Sequence, residues 1–211
     1  MTPGEAAPVV GVVLAGGRSR RMGGDDKSFV LLSGLPLVAH AVTRLAPQVA
    51  AIVVSANGAP ERYLALGLPV VADTVPGFAG PLAGFLAGME WAGANVPLAM
   101  HVVTVATDTP FFPTDLVARL SAAAGPEGMA VARTGGRIHP VFALLPVSVS
   151  GDLASFIAAG GSLKVADWLA RHDVAEVDFD DDASGFDPFF NINTPGDLVR
   201  AEAITGGCTP P

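Results

Sequence analysis

The chain has 211 residues, and its 20 acidic and 12 basic side chains give a formal net charge of -8 at pH 7. This acidic balance excludes a broad nucleic-acid surface, because such a surface neutralises many phosphates with lysine and arginine. The single cysteine, Cys208, excludes disulfides within the chain and cysteine-based zinc or iron–sulfur centres.

Residues 1–8 contain one acid and two prolines and lack the basic cluster of a targeting signal. No later apolar stretch approaches the roughly 18 to 20 uncharged residues that a membrane-spanning helix needs. We therefore expect a cytoplasmic protein that binds neither a membrane nor a nucleic acid.

Short runs rich in valine and isoleucine alternate with longer segments of helical period, which is typical of a largely parallel sheet flanked by helices. The predicted strands cover residues 9–14, 51–55, 69–72, 100–106, 128–132 and 174–179. The predicted helices cover residues 37–45, 60–66, 82–91, 114–123, 163–171 and 195–204. The predicted fold class is α/β, with a single Rossmann-like three-layer domain over residues 1–211 and a mostly parallel central sheet. Residues 1–8 and 206–211 are expected to be flexible ends.

A glycine-rich loop containing arginines follows the first predicted strand, between Leu14 and Lys27. Its glycines let backbone N–H groups approach phosphate oxygens, and Arg18, Arg20, Arg21 and Lys27 supply positive charge. The loop lacks both the G-x-G-x-x-G of dinucleotide-binding proteins and the lysine spacing of a P-loop. It therefore indicates a triphosphate site in which cationic side chains assist the backbone.

Polar residues also follow the next three predicted strands: Ser55 and Asn57, then Asp73, then Thr107–Pro110. In sheets of this kind the ligand lies beyond the carboxyl ends of the strands, so these turns are candidate site segments. A last polar group, residues 191–195, precedes the final predicted helix with the spacing of a capping box.

In chain order, these segments resemble the signature of the molybdenum cofactor guanylyltransferases, the MobA-type enzymes of the nucleotidyltransferase superfamily. The opening motif is specific at superfamily level, and the combination of five segments is more specific than any one. The matching residues are Leu14-Ala15-Gly16-Gly17 with Arg21-Met22-Gly23-Gly24 and Asp26-Lys27, Asp73 with Gly80-Pro81-Leu82-Ala83-Gly84, Asp108-Thr109-Pro110, His139-Pro140, and Asn191-Ile192-Asn193-Thr194-Pro195.

The resemblance implies that the terminal phosphate of molybdopterin attacks the α-phosphorus of GTP, that pyrophosphate leaves, and that a guanine dinucleotide form of the cofactor results. It implies Mg²⁺ as the cofactor, with Asp108 as its ligand. Arg21, Lys27 and Asp108 are the implied catalytic residues, because charge develops on the phosphates during transfer. Asp73 is the implied reader of the guanine edge.

The residues implied to bind GTP are Leu14, Ala15, Gly16, Gly17, Lys27, Ser55, Asn57, Asp73 and Asp108. The residues implied on the molybdopterin side are Asn191, Asn193 and His139. The implied partners are GTP, molybdopterin, and proteins that deliver the cofactor or mature molybdoenzymes.

Several alternatives remain open at the level of single residues. Ser55 occupies a position where the family often has asparagine, so either Ser55 or Asn57 makes the base or ribose contact. Residues 80–84 either pack a helix start or line the nucleotide pocket, and His139 either packs or approaches the pterin together with Arg137. The remaining histidines are expected to be structural: His40, His101 and His172.

Other functions also fit parts of the sequence. A cytidylyltransferase acting on the same cofactor is the nearest alternative, although that family more often resembles L-A-A-G where this chain has the double glycine Gly16-Gly17. A sugar-phosphate nucleotidyltransferase is more distant, and a non-catalytic GTP-binding or cofactor-binding adaptor would not need Asp108. A dehydrogenase is disfavoured, because the dinucleotide glycine pattern is missing.

Overall fold

The computed structural model describes residues 7–15, 26–73, 80–179 and 186–206. In chain order, its strands are β1 (Val9–Leu14), β2 (Leu31–Leu32), β3 (Leu35–Pro36), β4 (Ala51–Ser55), β5 (Val70–Val71), β6 (His101–Ala106), β7 (Met129–Thr134), β8 (Arg137–Pro146) and β9 (Val174–Asp178). The α-helices are α1 (Leu37–Leu45), α2 (Pro81–Asn95), α3 (Leu116–Ala124), α4 (Ser150–Ala158), α5 (Val165–Leu169) and α6 (Pro195–Thr205).

A seven-stranded sheet in the order β5-β4-β1-β6-β8-β7-β9 runs through the described part of the molecule. The strands β5, β4, β1 and β6 are parallel to one another, and β9 is parallel to β7. Only β8 runs against its neighbours β6 and β7 within this sheet. The prediction of a mostly parallel central sheet is therefore confirmed.

Hydrophobic side chains cover both faces of this sheet. On β1, Val10 and Val12 pack in one buried cluster with α2, α4 and α5. Val13 points to the other face and packs in a cluster with α1 and α3. Because successive side chains of a strand point to opposite faces, one valine-rich strand contributes to both layers. The predicted three-layer arrangement is confirmed.

The strand β8 was not predicted from the sequence. It carries Pro140, which has no backbone N–H to donate to a ladder, and such a residue argues against an internal strand. The structure accommodates Pro140 at a bulge in β8. Val131 of β7 pairs with Ala143, but the next residue, Ala132, pairs with His139.

The predicted helices are confirmed only in part. Residues 60–66 form a 3-10 helix, not an α-helix, and the predicted helix 163–171 is only five residues long as α5. The helix α4 was missed altogether. Within the described ranges, no helix combines the length and the apolar character that crossing a membrane requires.

Candidate active site

A cleft of about 1300 Å³ opens at the edge of the sheet where β1, β4, β5 and β6 end. Because β8 is antiparallel, its first residues reach the same edge and complete the wall of the cleft. Every sequence-predicted site residue that the structure describes lines it. These residues are Leu14, Ala15, Lys27, Ser55, Asn57, Asp73, Asp108, His139, Asn191 and Asn193.

Three predicted site residues, Gly16, Gly17 and Arg21, lie outside the described residues. The described residues on either side of this segment, Ala15 and Asp26, both line the cleft. The two described ends of the glycine-rich segment are therefore at the site.

Three of the residues that line the cleft bond to one another through Lys27, namely Lys27, Asp108 and Asn193. The Lys27 ammonium donates to Asp108 Oδ2 at 2.7 Å and to Asn193 Oδ1 at 2.6 Å. The Lys27 side chain is 13% exposed and that of Asp108 is 28% exposed, so the ion pair is only partly solvated. A partly desolvated ammonium interacts more strongly with an anion than one in bulk water.

The segment before α6 is fixed by backbone and capping contacts. Ile192 N donates to Asp108 O at 2.8 Å, which ties this segment to the turn after β6. Thr194 and Asp197 form the predicted capping box, and Asp197 Oδ2 also accepts from Asn193 N at 2.9 Å. Burial raises the pKa of the Asp197 carboxyl, but the hydrogen bonds from Asn193 and Thr194 and the charge of Arg200 together outweigh it and lower the pKa below its usual range. The Asn193 side chain is thus held facing Lys27.

Asn191 is oriented by the same turn after β6. Thr109 Oγ1 donates to Asn191 Oδ1 at 2.5 Å, and Thr109 is fully buried. The predicted Asp108-Thr109-Pro110 motif therefore contributes a cleft carboxylate and a hydroxyl that positions a second cleft side chain.

Asn57 and Asp73 bond to each other at the ends of β4 and β5. Asp73 N donates to Asn57 Oδ1 at 3.0 Å, and Asn57 Nδ2 donates to Asp73 Oδ2. Burial raises the pKa of the Asp73 carboxyl, and the hydrogen bond from Asn57 opposes that rise. The next residue, Gly58, has φ +132°, a conformation that L side chains rarely adopt.

Ser55 is buried at the end of β4, against the first turn of α2. A Cβ on Gly84 would lie 2.8 Å from Ser55 Oγ and 2.7 Å from Leu14 Cδ2. Gly80, Pro81 and Gly84 also line the cleft. The Gly80–Gly84 segment therefore serves both of the roles left open by the sequence, close packing and the cleft wall.

The β7–β8 hairpin supplies the opposite wall. Gly135 and Gly136 form its turn, after which Arg137 and His139 line the cleft. The His139 ring stacks on Phe189 at 4.4 Å between centroids, and its Nε2 lies 2.7 Å from Thr134 Oγ1. Burial is the main cause that lowers the pKa of His139 from its ordinary value.

The other histidines have structural contacts, as predicted. His40 Nε2 lies 2.8 Å from Leu32 O, and His101 Nε2 lies 3.1 Å from Gly128 O. His172 Nε2 lies 3.1 Å from Asp152 Oδ2. None of these three lines the cleft.

Tyr63 is a cleft residue that the sequence analysis missed. Its hydroxyl donates to Asp26 Oδ2 at 2.9 Å, and Asp26 Oδ1 accepts from Ser28 N at 3.1 Å. Asp26 thereby caps the 3-10 helix Lys27–Phe29, and this contact fixes the backbone of Lys27. Burial is the main cause that raises the pKa of the Tyr63 hydroxyl. Two features of the sequence could have indicated Tyr63 as a site residue: it is the only tyrosine of the chain, and it closely follows β4.

Residues 11–176 match the family model described as a MobA-like NTP transferase domain. A curated relative from Mesorhizobium japonicum, named molybdenum cofactor guanylyltransferase, is 49% identical over 204 residues, which cover 95% of this chain and 98% of the relative. A relative of the same name from Rhizobium johnstonii is 52% identical over 198 residues, covering 92% of this chain and 91% of the relative.

A solved structure is also similar over nearly the whole chain. The crystal structure of molybdopterin-guanine dinucleotide biosynthesis protein A from Archaeoglobus fulgidus aligns with a TM-score of 0.73 and 26% identity, covering 94% of this chain and 99% of that one. The family match includes the carboxyl end of β1 and all of β4, β5 and β6, whose ends form the cleft.

Proposed function

Because this chain belongs to the MobA-like NTP transferase family, we propose that it is a molybdenum cofactor guanylyltransferase, which transfers GMP from GTP to molybdopterin. The relatives that carry this name are 49% and 52% identical over more than nine-tenths of the chain. The structural observation that carries the proposal is the meeting of Lys27, Asp108 and Asn193 in one cleft with the Asn57–Asp73 pair.

The reaction is a displacement at the α-phosphorus of GTP. An oxygen of the terminal phosphate of molybdopterin forms a bond to this phosphorus, and the bond from the α-phosphorus to the oxygen that bridges to the β-phosphate breaks. Pyrophosphate leaves with that electron pair. The product joins GMP and molybdopterin through a new phosphoanhydride.

Lys27 is the described residue best suited to stabilise the transferred phosphate. Its ammonium is anchored by Asp108 and Asn193, so its position is fixed before a ligand arrives. Preorganised positive charge in a poorly solvated site lowers the energy of a transition state in which phosphate charge is redistributed. We propose that Arg21 and the backbone from Leu14 to Gly17 assist at the triphosphate.

Asp108 is the residue that would hold Mg²⁺. In the described ranges, no group of three histidine, cysteine, aspartate or glutamate side chains could form a metal cage. The oxygen atoms bonded to the Lys27 ammonium are Asp108 Oδ2 and Asn193 Oδ1, and Asn191 lines the same cleft. Mg²⁺ takes oxygen ligands with few protein carboxylates, so this set fits it. When bound, the ion would neutralise charge on the phosphates of GTP and of departing pyrophosphate.

Asp73 is the proposed guanine reader. A carboxylate accepts hydrogen bonds, and the guanine edge offers ring and exocyclic N–H donors that cytosine does not present in that arrangement. Ser55 is buried at the strand end, which leaves Asp73 as the more accessible acceptor in this part of the cleft.

Molybdopterin is proposed to bind on the side of Asn191, Asn193 and His139. All three line the cleft. Asn193 bonds to Lys27, Asn191 bonds to Thr109, and His139 lies near the start of β8. A cytoplasmic location and proteins that deliver the cofactor or mature molybdoenzymes remain predictions.

Pyrophosphate release tests the function directly. The purified protein, given molybdopterin, Mg²⁺ and one nucleotide at a time, is expected to release pyrophosphate at least about 100-fold faster with GTP than with CTP, because buried polar groups reject a base that cannot pair with them. Faster release with CTP would contradict the proposal and indicate a cytidylyltransferase. GTP binding without pyrophosphate release would indicate a non-catalytic adaptor.

A further inference from the structure

The Asn57–Asp73 pair joins two loops through a reciprocal contact. Asn57 follows β4, and Asp73 follows β5, the edge strand that is parallel to β4. The backbone N–H of Asp73 donates to the Asn57 amide oxygen, and the Asn57 amide nitrogen donates to Asp73 Oδ2. A single side chain thus holds both the main chain and the carboxylate of Asp73.

We propose that Asn57 is a positioning residue for guanine specificity, which acts by fixing the Asp73 carboxylate and not by contacting the nucleotide. This inference rests on the proposed function, because Asp73 needs a guanine to read. It also assigns a role to Asn57 where the sequence left a choice between Ser55 and Asn57 for a nucleotide contact.

The hydrogen-bonding capacity of the two side chains supports this role. The amide of Asn57 has one oxygen and two N–H groups, and Asp73 takes the oxygen and one N–H. Asp73 Oδ1 accepts no hydrogen bond from the part of the chain that the structure describes. Asp73 therefore keeps a vacant acceptor on a carboxylate that cannot rotate freely.

A fixed carboxylate matches the guanine edge. Ring N1–H and exocyclic N2–H are parallel donors, and a carboxylate accepts such a pair with its two oxygens. If the carboxylate rotated about its side chain, only one of the two bonds would form well. A displacement of about 1 Å in a positioning group can cost about 100-fold in rate.

The contact also favours the ionised form of Asp73. Burial raises the pKa of this carboxyl, whereas the donor from Asn57 lowers it. A protonated carboxyl would place its own hydrogen towards the donors of guanine and lose an acceptor. Asn57 therefore supports both the orientation and the charge state that guanine needs.

Comparing GTP with ITP isolates this effect, since ITP lacks only the exocyclic amino group and keeps the same ring N–H, ribose and triphosphate. We expect Asn57→Ala to lower kcat/KM for GTP by about 10-fold to 100-fold and to lower kcat/KM for ITP less. The preference for GTP over ITP should shrink accordingly. The acid limb of the pH profile for GTP should move to higher pH, because Asp73 loses a donor to its charged form.

Asn95→Ala is the matched control. Asn95 is an exposed asparagine at the end of α2 whose side chain donates to Trp91 O, and it does not line the cleft. Its replacement should leave both the GTP to ITP ratio and the pH profile unchanged.

Equal losses for GTP and ITP in Asn57→Ala would overturn the inference, because they would indicate a direct contact with a group that both nucleotides share. Unchanged rates would overturn it as well. The wild-type protein separates this failure from that of the function: if the wild type does not prefer GTP, the proposed function itself fails.

If circular dichroism shows that Asn57→Ala does not fold, Asn57→Asp takes its place, because it keeps the size of the side chain. At pH 8 the new carboxylate faces Asp73, and the GTP preference should be lower than in the wild type. At pH 6 the two carboxyls share a proton and the preference should recover in part. A wild-type preference at both pH values would overturn the inference.

Discussion

Lys27 lies 81 residues before Asp108 and 166 residues before Asn193, yet its ammonium is 2.7 Å from Asp108 Oδ2 and 2.6 Å from Asn193 Oδ1. Each was predicted separately, from the motif in which it occurs. The contacts between them were not predicted, because a sequence motif gives no distance to a distant segment. The partial burial of the ion pair is what distinguishes it from an exposed salt bridge, which contributes about 0 to 1 kcal/mol.

Asp108→Ala should remove the proposed metal ligand while leaving the nucleotide pocket in place. We expect pyrophosphate release from GTP to fall by about 100-fold or more, because one preorganised group of this kind contributes several kcal/mol to the transition state. Binding of a fluorescent GTP analogue should remain measurable. Asp115→Ala, at an exposed carboxylate that does not line the cleft, serves as the control. Retained turnover in Asp108→Ala would refute the assignment.

At the scale of elements, the helix α2 depends on small residues to approach β1. A Cβ on Gly88 would lie 2.5 to 3.1 Å from three atoms of Val12, whose branched side chain is stiff. A Cβ on Gly93, in the same helix, would find its nearest atom at 3.5 Å, an ordinary contact. The sequence predicted a helix over residues 82–91, and the structure adds how closely it packs.

Gly88→Ala should therefore destabilise the protein. We expect a loss of about 1 to 3 kcal/mol in the free energy of unfolding, because the overpacking outweighs the gain of about 1 kcal/mol in helix propensity. Gly93→Ala has the same gain without the clash and should be neutral or slightly stabilising. Urea denaturation of both variants measures the difference, and equal effects would contradict the packing argument.

The strands and helices show where sequence reasoning was right and where it was wrong. The strands β1 and β4 and the helix α1 have the predicted bounds, because their apolar periods are uninterrupted. The strand β8 was missed because Pro140 interrupts it, and its bulge is stabilised by a distant residue: Thr104 Oγ1 donates to Val141 O at 2.6 Å. A contact between two strands that are far apart in the chain has no local signal.

At the scale of the whole molecule, two histidines link stability to pH. Burial is the main cause that lowers the pKa of His101 and of His139 from the ordinary value of 6.5. Below about pH 6.5 the unfolded chain therefore binds more protons than the folded protein. The stability that these residues support is complete above that pH and is lost as the pH falls towards their folded-state pKa values.

We expect the thermal midpoint to be lower at pH 5.5 than at pH 7.5, with His101→Gln and His139→Gln each reducing the difference. Differential scanning calorimetry at both pH values measures it. Comparing each variant with the wild type separates the contribution of these two histidines from that of other groups that titrate in this range. A pH difference that both variants leave unchanged would contradict the assignment.

The sequence by itself determined the class of the fold, the order of most strands and helices and the family resemblance, and it predicted the individual candidate site residues. These features depend on local periodicity and on motifs, which neighbouring residues encode. Only the tertiary structure decided that β8 returns antiparallel, that Asp26 and Tyr63 fix Lys27, and that Asn57 bonds to Asp73. The physical reason is that these contacts depend on how strands pair and how their ends converge at one edge of the sheet.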